Sequence, residues 1–389
     1  MTIVDNFFSP FSYDVGIDLG TANTLIYVKG KGIAIREPSI IARHKKTKEV
    51  LAIGSEAKKM FGKTPSTIET VRPLRGGVIS DFDATTAMIS YYIKELNRSS
   101  SLISKFIFKP KVVIGIPSSV TEVERRAVWE AALTAGARKA YLIEEPMASA
   151  IGAGVSVFAP TGMMVVDVGG GTTEIAVISL GGIVVSKSLR TAGDDMNLAI
   201  MNYIRLRHGL LIGERTAEDL KIKIGSAYQN RESIKTKNAR LKNSENKKTK
   251  ENLESEKIKE EDIKIEEDNE SKIAIIRGRD IETGLPKSLK ISNVEVREAL
   301  SSVLSEIIEA IADVIQDSPP ELTSDILEHG ILLTGGGAML KGFDDLIIER
   351  TNIPVIRAED PLTTVVRGCA KVLEDDNLLN RVKVTGGLV

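Results

Sequence analysis

The chain has 389 residues, of which 42% are hydrophobic and 27% are charged, and its formal net charge is −1. This length allows about two or three domains with substantial cores, and the balanced charge predicts no nucleic acid among the partners. A single cysteine, Cys369, excludes an intramolecular disulfide and fits a cytoplasmic protein, and no apolar run reaches the roughly 20 residues of a membrane span.

The first half of the chain predicts a meander of strands followed by alternating helices and strands. Residues 14–50 hold β-branched runs separated by glycines, which is typical of short strands. A helix is predicted around 82–96, and "KPKVVIGIP" predicts a buried strand. "SSVTEVERRAVWEAALTAGA" predicts a helix because hydroxyl residues precede early glutamates. "KAYLIEEPMASAIGAG" then predicts strand, turn and helix.

The second half repeats this order from "VVDVGGGTTEIAV" at residues 165–177. Helices are predicted at about 194–207, 214–225 and 294–315, and "SKIAIIRGRDIETGLPKSLKIS" predicts a strand pair. "GILLTGGGAMLKG" predicts a further strand that ends in glycines. Two similar halves are the simplest explanation of the repeat.

A charged segment interrupts the second half. Residues from about 229 to 272 are almost free of aromatic side chains, basic at first and acidic later. We interpret the segment as a disordered or loosely helical insertion, and a charged helical hairpin is the alternative. It could tether a partner or space neighbouring filaments, but no specific role is the simplest expectation.

Two predicted hairpin turns carry the same pattern. Each places an aspartate, Asp18 or Asp167, two residues before a glycine. Gly-rich turns present backbone N–H groups that bind phosphate, and a carboxylate tolerates phosphate when Mg²⁺ or water lies between them. One such turn is more simply a tight hairpin, but two copies and a third cluster at Gly335–Gly337 favour a nucleotide site between the halves. The chain has neither a P-loop nor a dinucleotide fingerprint.

Several segments together resemble a known superfamily. "GIDLGTANT", "IEEPMASAIG", "VVDVGGGTTEIAVISLG", "GERTAEDLKIKIG" and "GILLTGGGAML" are similar to the phosphate, connecting and adenosine motifs of the actin, Hsp70 and sugar-kinase superfamily. With "GKGIAIREPSIIA", "VRPLRGGVISDFD" and "ETGLP", the chain most closely resembles the MreB family of bacterial actins, from about Asp14 to Val372. The resemblance implies an α/β, two-lobed actin-like ATPase fold, with duplicated RNase H-like domains and a nucleotide cleft between them.

The resemblance also implies a division into domains. The boundaries are an N-terminal extension at 1–13, domain I at 14–157 with a small subdomain at about 43–85, domain II at 158–372 with a small subdomain at about 194–290, and a C-terminal tail at 373–389. The charged insertion at about 229–272 departs from the family pattern.

Site residues follow from the same motifs. Asp18 and Asp167 would organise Mg²⁺, and Glu145 would position the attacking water, with Glu144 as the alternative. Either glutamate could instead be an ordinary acid at a helix start. The residues implied to contact ATP are Gly20, Thr21, Ala22, Asn23, Gly169, Gly170, Gly171, Thr172, Glu218, Asp219, Leu220, Lys221, Gly335, Gly336, Gly337 and Ala338. For Glu218 and Lys221, a solvated ion pair one helical turn apart is the alternative.

The implied function is that of an ATP-hydrolysing cytoskeletal filament. Its partners would be further copies of itself in paired protofilaments, the inner face of the bacterial membrane, and membrane proteins of the machinery that directs cell-wall synthesis. Two alternatives remain open. One is a monomeric ATPase of the same superfamily, either an Hsp70-type chaperone or a sugar kinase, and the other is a nucleotide-binding adaptor that neither polymerises nor hydrolyses ATP.

Two segments are candidates for membrane contact. Phe106, Ile107 and Phe108 lie between Lys105 and Lys109 and match the loop by which MreB-like proteins insert apolar side chains into a bilayer. They could also simply begin the buried strand. The N-terminal "MTIVDNFFSPFS" has apolar residues at helical spacing, which suits either an anchor or a strip that packs on the domain.

Overall fold

The computed structural model describes residues 14–98, 109–228, 264–267 and 272–384. They form two compact units. As far as they are described, the first unit comprises the residues up to Asp194, Glu306–Met339 and those from Ile353 onward, and the second comprises Asp195–Ser305 and Leu340–Asn352. The predicted boundary between residues 157 and 158 stays a prediction.

Strands and helices alternate along most of the described chain. The strands are β1 (Val15–Leu19), β2 (Asn23–Val28), β3 (Gly32–Pro38), β4 (Ile41–His44), β5 (Val50–Ile53), β6 (Ile68–Val71), β7 (Leu74–Arg75), β8 (Val78–Ile79), β9 (Lys111–Ile116), β10 (Lys139–Glu144), β11 (Met163–Val168), β12 (Thr173–Ser179), β13 (Gly182–Leu189), β14 (Leu210–Leu211), β15 (Lys264–Glu267), β16 (Lys272–Asp280), β17 (Pro286–Ser292), β18 (Ile331–Thr334) and β19 (Val355–Arg357). The helices are α1 (Ser55–Met60), α2 (Phe82–Arg98), α3 (Glu122–Thr134), α4 (Glu145–Ala153), α5 (Gly193–His208), α6 (Glu214–Ile224), α7 (Asn293–Asp317), α8 (Pro320–His329), α9 (Phe343–Thr351), α10 (Thr364–Glu374) and α11 (Asp376–Val382). The predicted helices and strand pair are confirmed to within a few residues.

Two five-stranded sheets of the first unit share one topology. Their orders are β10-β9-β1-β2-β3 and β13-β12-β11-β18-β19. In each sheet an antiparallel three-strand meander comes first, and its first strand then pairs in parallel with a strand from later in the chain. The repeat that the two similar turns predicted is therefore present as two sheets built in the same order.

Helices α4 and α10 pack in a core that receives apolar side chains from both sheets. Their backbones touch. A Cβ atom on Gly152 would overlap the carbonyl oxygen of Thr364, and a Cβ atom on Gly368 would overlap that of Ala148. Only glycine permits this approach, which brings the N-terminus of α4 close to the strands that carry the two turns.

The opposite face of the first sheet packs against α2 and α3. Met88 and Tyr92 of α2 and Ala131 of α3 are fully buried there. Helix α3 begins with a capping box. The Thr121 hydroxyl accepts a hydrogen bond from the Glu124 amide at 3.2 Å, and the Glu124 carboxylate accepts one from the Thr121 amide at 2.8 Å. The predicted hydroxyl N-cap is confirmed.

A three-stranded sheet, β5-β4-β6, lies in the region predicted as the first small subdomain. Arg43 is 9% exposed, and its guanidinium contacts Glu69 at 2.7 Å and Asp81 at 2.8 Å. The two carboxylates raise the pKa of Arg43 despite its burial. Arg43 thus ties this sheet to the segment that leads into α2.

In the second unit, β16 pairs with β14, β15 and β17. The sequence interpretation of a disordered or helical insertion up to residue 272 is wrong for Lys264–Glu267, which form β15. Backbone hydrogen bonding to β16 gives this charged segment an extended conformation that its composition did not indicate. His208 of α5 and Glu295 of α7 are 2.8 Å apart and join two helices of the unit.

No helix among the described residues is both long and apolar enough to cross a bilayer. The candidates for membrane contact, Phe106, Ile107 and Phe108 together with the extension at 1–13, lie outside the described residues. Most of the charged insertion lies outside them as well.

Candidate nucleotide site

The two predicted turns have the same backbone construction. Between β1 and β2, the amide of Gly20 donates to the carbonyl of Asn23 at 3.1 Å. Between β11 and β12, the amide of Gly169 donates to the carbonyl of Thr172 at 2.8 Å. Asp18 and Asp167 stand at the same position in the two hairpins, two residues before the turn. The structure therefore confirms that the sequence repeat is a repeat of local conformation.

The two turns touch each other. A Cβ atom on Gly170 would lie 2.6 Å from the Cβ of Ala22, and one on Gly171 would lie 2.6 Å from the hydroxyl of Thr21. Neither glycine has a left-handed φ, so close approach and not backbone conformation requires glycine here. The turns of the two sheets form one continuous Gly-rich surface.

The two aspartates lie beside these turns. Burial, with a smaller contribution from Asp167, raises the pKa of Asp18 to about 8. Burial also raises the pKa of Asp167 to about 6, although the Ser149 hydroxyl donates to this carboxylate at 2.5 Å and opposes the rise. Two carboxyl groups whose charged forms are this poorly stabilised form a site that favours a cation.

Glu145 is the first residue of α4. Its pKa is raised well above the usual value. Burial is the largest cause, and the charges of Glu174, Asp18 and Asp167 contribute in decreasing order. For Glu144, the last residue of β10, burial also raises the pKa, but the charges involved are those of Arg125 and Glu174. The charges of the two aspartates thus act on Glu145, whereas those of Arg125 and Glu174 act on Glu144.

The third glycine cluster packs against the end of β11. Gly335 has φ +82°, and its missing Cβ would overlap the Asp167 carboxylate. A Cβ atom on Gly337 would overlap the side chain of Val168. Gly336 and the buried Ala338 belong to a short 3₁₀ helix that follows β18. The cluster thus borders the second turn.

Sequence comparison identifies the family. The family model described as "MreB/Mbl protein" matches residues 12–264 and 248–381. The cell shape-determining protein MreB of Escherichia coli K12 is 45% identical over 94% of each chain. The chain belongs to the MreB/Mbl family. The cell shape-determining protein Mbl of Bacillus subtilis is 42% identical over 96% of this chain and 100% of its own.

A solved structure supports the same assignment. MreB5 of Spiroplasma citri bound to ADP superposes with a TM-score of 0.80 at 34% identity, covering 95% of this chain and 98% of its own. A second structure of that protein, bound to AMPPNP, gives a TM-score of 0.79. The predicted actin-like fold is confirmed.

The remaining residues expected from the MreB family motifs lie in the second unit, on α6. Leu220 is fully buried, whereas Glu218, Asp219 and Lys221 are partly exposed on the helix. The Lys221 carbonyl lies so close to Gly225 that a Cβ atom there would overlap it. Because the Leu220 side chain is fully buried, it is not exposed to a ligand.

Sequence reasoning missed Gly77, which lies against both turns. Its amide donates to the Thr21 hydroxyl at 3.0 Å, and a Cβ atom on it would lie 2.8 Å from the Thr172 side chain and 2.7 Å from Pro117. Its φ is +73°. The segment "VRPLRGGVISDFD" contributed to the family resemblance, but only its Gly-Gly pair hinted at a close backbone approach.

Sequence reasoning also missed Glu174, which is 1% exposed on β12 and lies directly across from Asp167 in the strand pairing. Its carboxylate accepts hydrogen bonds from Ser118 and Ser188. A glutamate directly before the apolar run "IAVI" was the available signal, because a charge is rarely buried without a purpose in such a strand.

The donor set fits Mg²⁺ that arrives with phosphate. Among residues 14–98, 109–228, 264–267 and 272–384, no group of three or more His, Cys, Asp or Glu side chains is arranged to hold a metal alone. Mg²⁺ typically binds through one or two carboxylates and completes its shell with phosphate oxygens and water. Asp18 and Asp167 supply two such carboxylates beside the phosphate-binding type of turn.

Proposed function

We propose that this protein is an ATP-dependent, polymerising actin-like protein that determines cell shape. The contact between the two Gly-rich turns, with Asp18, Asp167 and Glu145 beside it, carries the proposal. Backbone N–H groups on both sides suit phosphate, and the carboxyl groups suit its metal. The ADP and AMPPNP complexes of MreB5 from S. citri support a nucleoside triphosphate as the ligand.

Residues of the two turns would hold the phosphates. Gly20 to Asn23 would contact them from one sheet and Gly169 to Thr172 from the other, while Asp18 and Asp167 would orient Mg²⁺ through water or directly. When bound, Mg²⁺ would neutralise charge that develops on the phosphate oxygens. Gly335, Gly336, Gly337 and Ala338 would border the nucleoside, and Glu218, Asp219, Leu220 and Lys221 are the proposed contacts from the second unit.

Glu145 would position the water that attacks the terminal phosphate. This reaction depends on orientation more than on covalent catalysis, so a carboxyl group held at a helix start is suited to it. The charges of both aspartates act on Glu145 and are not among those that shift the pKa of Glu144, which favours Glu145 for this role. Glu144 remains the alternative and serves as a control below.

Polymerisation would follow from head-to-tail contacts between copies, which do not close and so extend into filaments. Nucleotide binding would favour the assembling conformation, and hydrolysis would mark older subunits. The similarity to MreB and Mbl, which are cell shape-determining proteins, supports cell-shape determination as the role. We further propose that directing cell-wall synthesis involves membrane proteins of the elongation machinery.

Attachment to the inner face of the membrane is proposed for Phe106, Ile107 and Phe108. The support is the sequence pattern, in which three apolar residues lie between Lys105 and Lys109. Apolar insertion combined with basic flanks suits an anionic leaflet. The extension at 1–13 is the second candidate for the anchor.

Co-pelleting with anionic liposomes, with and without Mg-ATP, tests the proposal. We expect the wild type to pellet with lipid and ATP and to release phosphate. Glu145→Ala should pellet but release little phosphate, whereas the matched Glu144→Ala should retain hydrolysis. Replacing Phe106, Ile107 and Phe108 by serine should leave filaments that no longer bind lipid. A wild type that hydrolyses ATP but never pellets would instead support the monomeric ATPase.

A further inference from the structure

Glu174 connects the two sheets through hydrogen bonds. One carboxylate oxygen accepts from the Ser118 amide at 3.0 Å and from the Ser118 hydroxyl at 2.6 Å. The other accepts from the Ser188 hydroxyl at 2.5 Å. Ser118 follows β9 of the first sheet, whereas Ser188 lies on β13, next to Glu174 in the second sheet. The contact to Ser118 therefore crosses between the sheets.

The fold itself does not require a carboxylate at this position. The equivalent residue of the first hairpin is Leu25, which pairs with Asp18 as Glu174 pairs with Asp167. Leu25 is buried as an ordinary core residue. Burying a carboxylate opposite Asp167 is costly, because like charges across a strand pair repel and each loses hydration. A residue kept at such a cost is a candidate for function.

Glu174 also lies beside Glu145. After burial, the charge of Glu174 is the largest cause of the raised pKa of Glu145. Gly115 of β9 lies under the Glu145 side chain, since a Cβ atom on Gly115 would be 3.5 Å from its Cγ. Ser118 follows only three residues later. The hydrogen bonds of Glu174 thus hold the end of the strand on which the Glu145 side chain rests.

We propose that Glu174 is a positioning residue for hydrolysis, which fastens Ser118 at the end of β9 to the strand that leaves the second Gly-rich turn. The inference rests on the proposed function, because it assumes that Glu145 acts on phosphate held at that turn. Glu174 sets the position of Glu145 relative to the phosphate through Ser118 and the end of β9.

Such a role affects catalysis and binding differently. Phosphate binding depends on the turns, which Glu174 does not contribute to directly. Correct placement of the attacking water depends on Glu145, and a misplacement of about 1 Å can reduce a rate by about 100-fold. Loss of the Glu174 contacts should therefore lower kcat and leave the KM for ATP nearly unchanged.

Four variants and two measurements test this inference. Glu174→Ala should lower kcat about 10- to 100-fold with KM within about threefold of the wild type. Glu174→Gln should recover most of kcat, because its amide oxygen can accept from Ser118 and its amide nitrogen can donate to Ser188. Ser118→Ala keeps the backbone donor and should have an intermediate effect. Ser188→Ala, which removes only a contact within one sheet, is the matched control and should stay within about threefold.

Hydrogen exchange supplies a measurement that does not depend on activity. The Ser118 amide should exchange faster in Glu174→Ala than in the wild type or Glu174→Gln, because its acceptor is lost. A Glu174→Gln variant as slow in hydrolysis as Glu174→Ala would overturn the inference, since charge and not hydrogen bonding would then matter. Equal losses in Ser188→Ala and Ser118→Ala would also overturn it. If Glu174→Ala does not fold, Ser118→Ala compared with Ser188→Ala still decides.

The outcome that would contradict the proposed function differs from the one that would contradict the role of Glu174. It fails if the wild type neither binds nor hydrolyses ATP. The present inference fails if the wild type hydrolyses ATP while kcat and Ser118 exchange are unchanged in Glu174→Ala.

Discussion

The two five-stranded sheets have the same strand order, yet their turns differ in side chains at every contact. The first turn carries Thr21 and Ala22, whereas the second carries Gly170 and Gly171 at the equivalent positions. The first turn thus supplies side-chain volume and a hydroxyl, and the second supplies space. Two copies of one hairpin fit against each other only because their residues are complementary and not identical.

The same asymmetry extends to the strands that leave the turns. Leu25 in the first hairpin packs in the core, while Glu174 in the second contacts the opposite sheet. Asp167 accepts a hydrogen bond from Ser149, whereas the pKa of Asp18 is raised further. The repeat accounts for the conformation that the two hairpins share, and the differences between the copies account for the contacts between the sheets.

Adding a methyl group at Gly170 should break this complementarity, and removing the methyl group of Ala22 as well should restore it. Gly170→Ala places a Cβ atom 2.6 Å from that of Ala22, and we expect ATP to bind about 10- to 100-fold more weakly, since overpacking costs about 1–3 kcal/mol. Adding Ala22→Gly removes the opposing methyl group and should recover most of the affinity. Titration with a fluorescent ATP analogue measures the effect.

Ala22→Gly alone is the control, and its affinity should stay near that of the wild type. If the double variant binds as weakly as Gly170→Ala, the two turns do not require each other's shape. In that case contact of the added Cβ atom with the backbone of residue 22, whose nitrogen would lie 3.2 Å away, and not contact with the Ala22 methyl group, would be the cause.

The aspartates should make the nucleotide-free protein sensitive to pH. Their folded-state pKa values, about 8 for Asp18 and about 6 for Asp167, exceed the unfolded value of about 4. At these two groups the folded state therefore binds protons more tightly, so the stability that they contribute is fully present below about pH 4 and is lost as the pH rises to about 8. The thermal unfolding midpoint without Mg-ATP should decrease over this range by several degrees.

Asp18→Asn should flatten this pH dependence and raise the midpoint at pH 8, because it removes the buried charge. Asp167→Asn should have a smaller effect, since the Ser149 hydroxyl already stabilises that carboxylate. Mg-ATP should raise the midpoint of the wild type at pH 8 but not that of Asp18→Asn. A midpoint of Asp18→Asn that falls with pH as steeply as the wild type would contradict the assignment of the effect to Asp18.

Much of the fold and of the candidate site was predictable from local patterns in the sequence. The hairpins with Asp18 and Asp167, the glutamates before Pro146 and the capped helix α3 are each encoded within about ten consecutive residues. The family motifs then supplied the actin-like fold, which the comparisons confirm. The roles of the individual site residues stay predictions.

Contacts between distant segments could not be predicted in this way. Ser118 and Glu174 are 56 positions apart, and neither belongs to a recognisable spacing. Gly77 contacts Thr21 and Thr172 only because the chain returns to the turns after β7. Strand β15 was missed for a related reason, since its charged residues gain their extended conformation from hydrogen bonds to β16.

We expect the smallest effect at a partly exposed ion pair that joins the two halves of the chain. Arg72 from the first half and Asp194 from the second are 2.8 Å apart, with 24% and 32% of their side chains exposed. Solvent screens such a pair, so a double-mutant cycle of Arg72→Ala and Asp194→Ala should give a coupling of only about 0.2–1 kcal/mol in the free energy of unfolding. The coupling should shrink further at 1 M salt, where the Debye length is about 3 Å. A coupling well above this range, insensitive to salt, would contradict this expectation and would mean that Arg72 and Asp194 are dehydrated as strongly as Glu174.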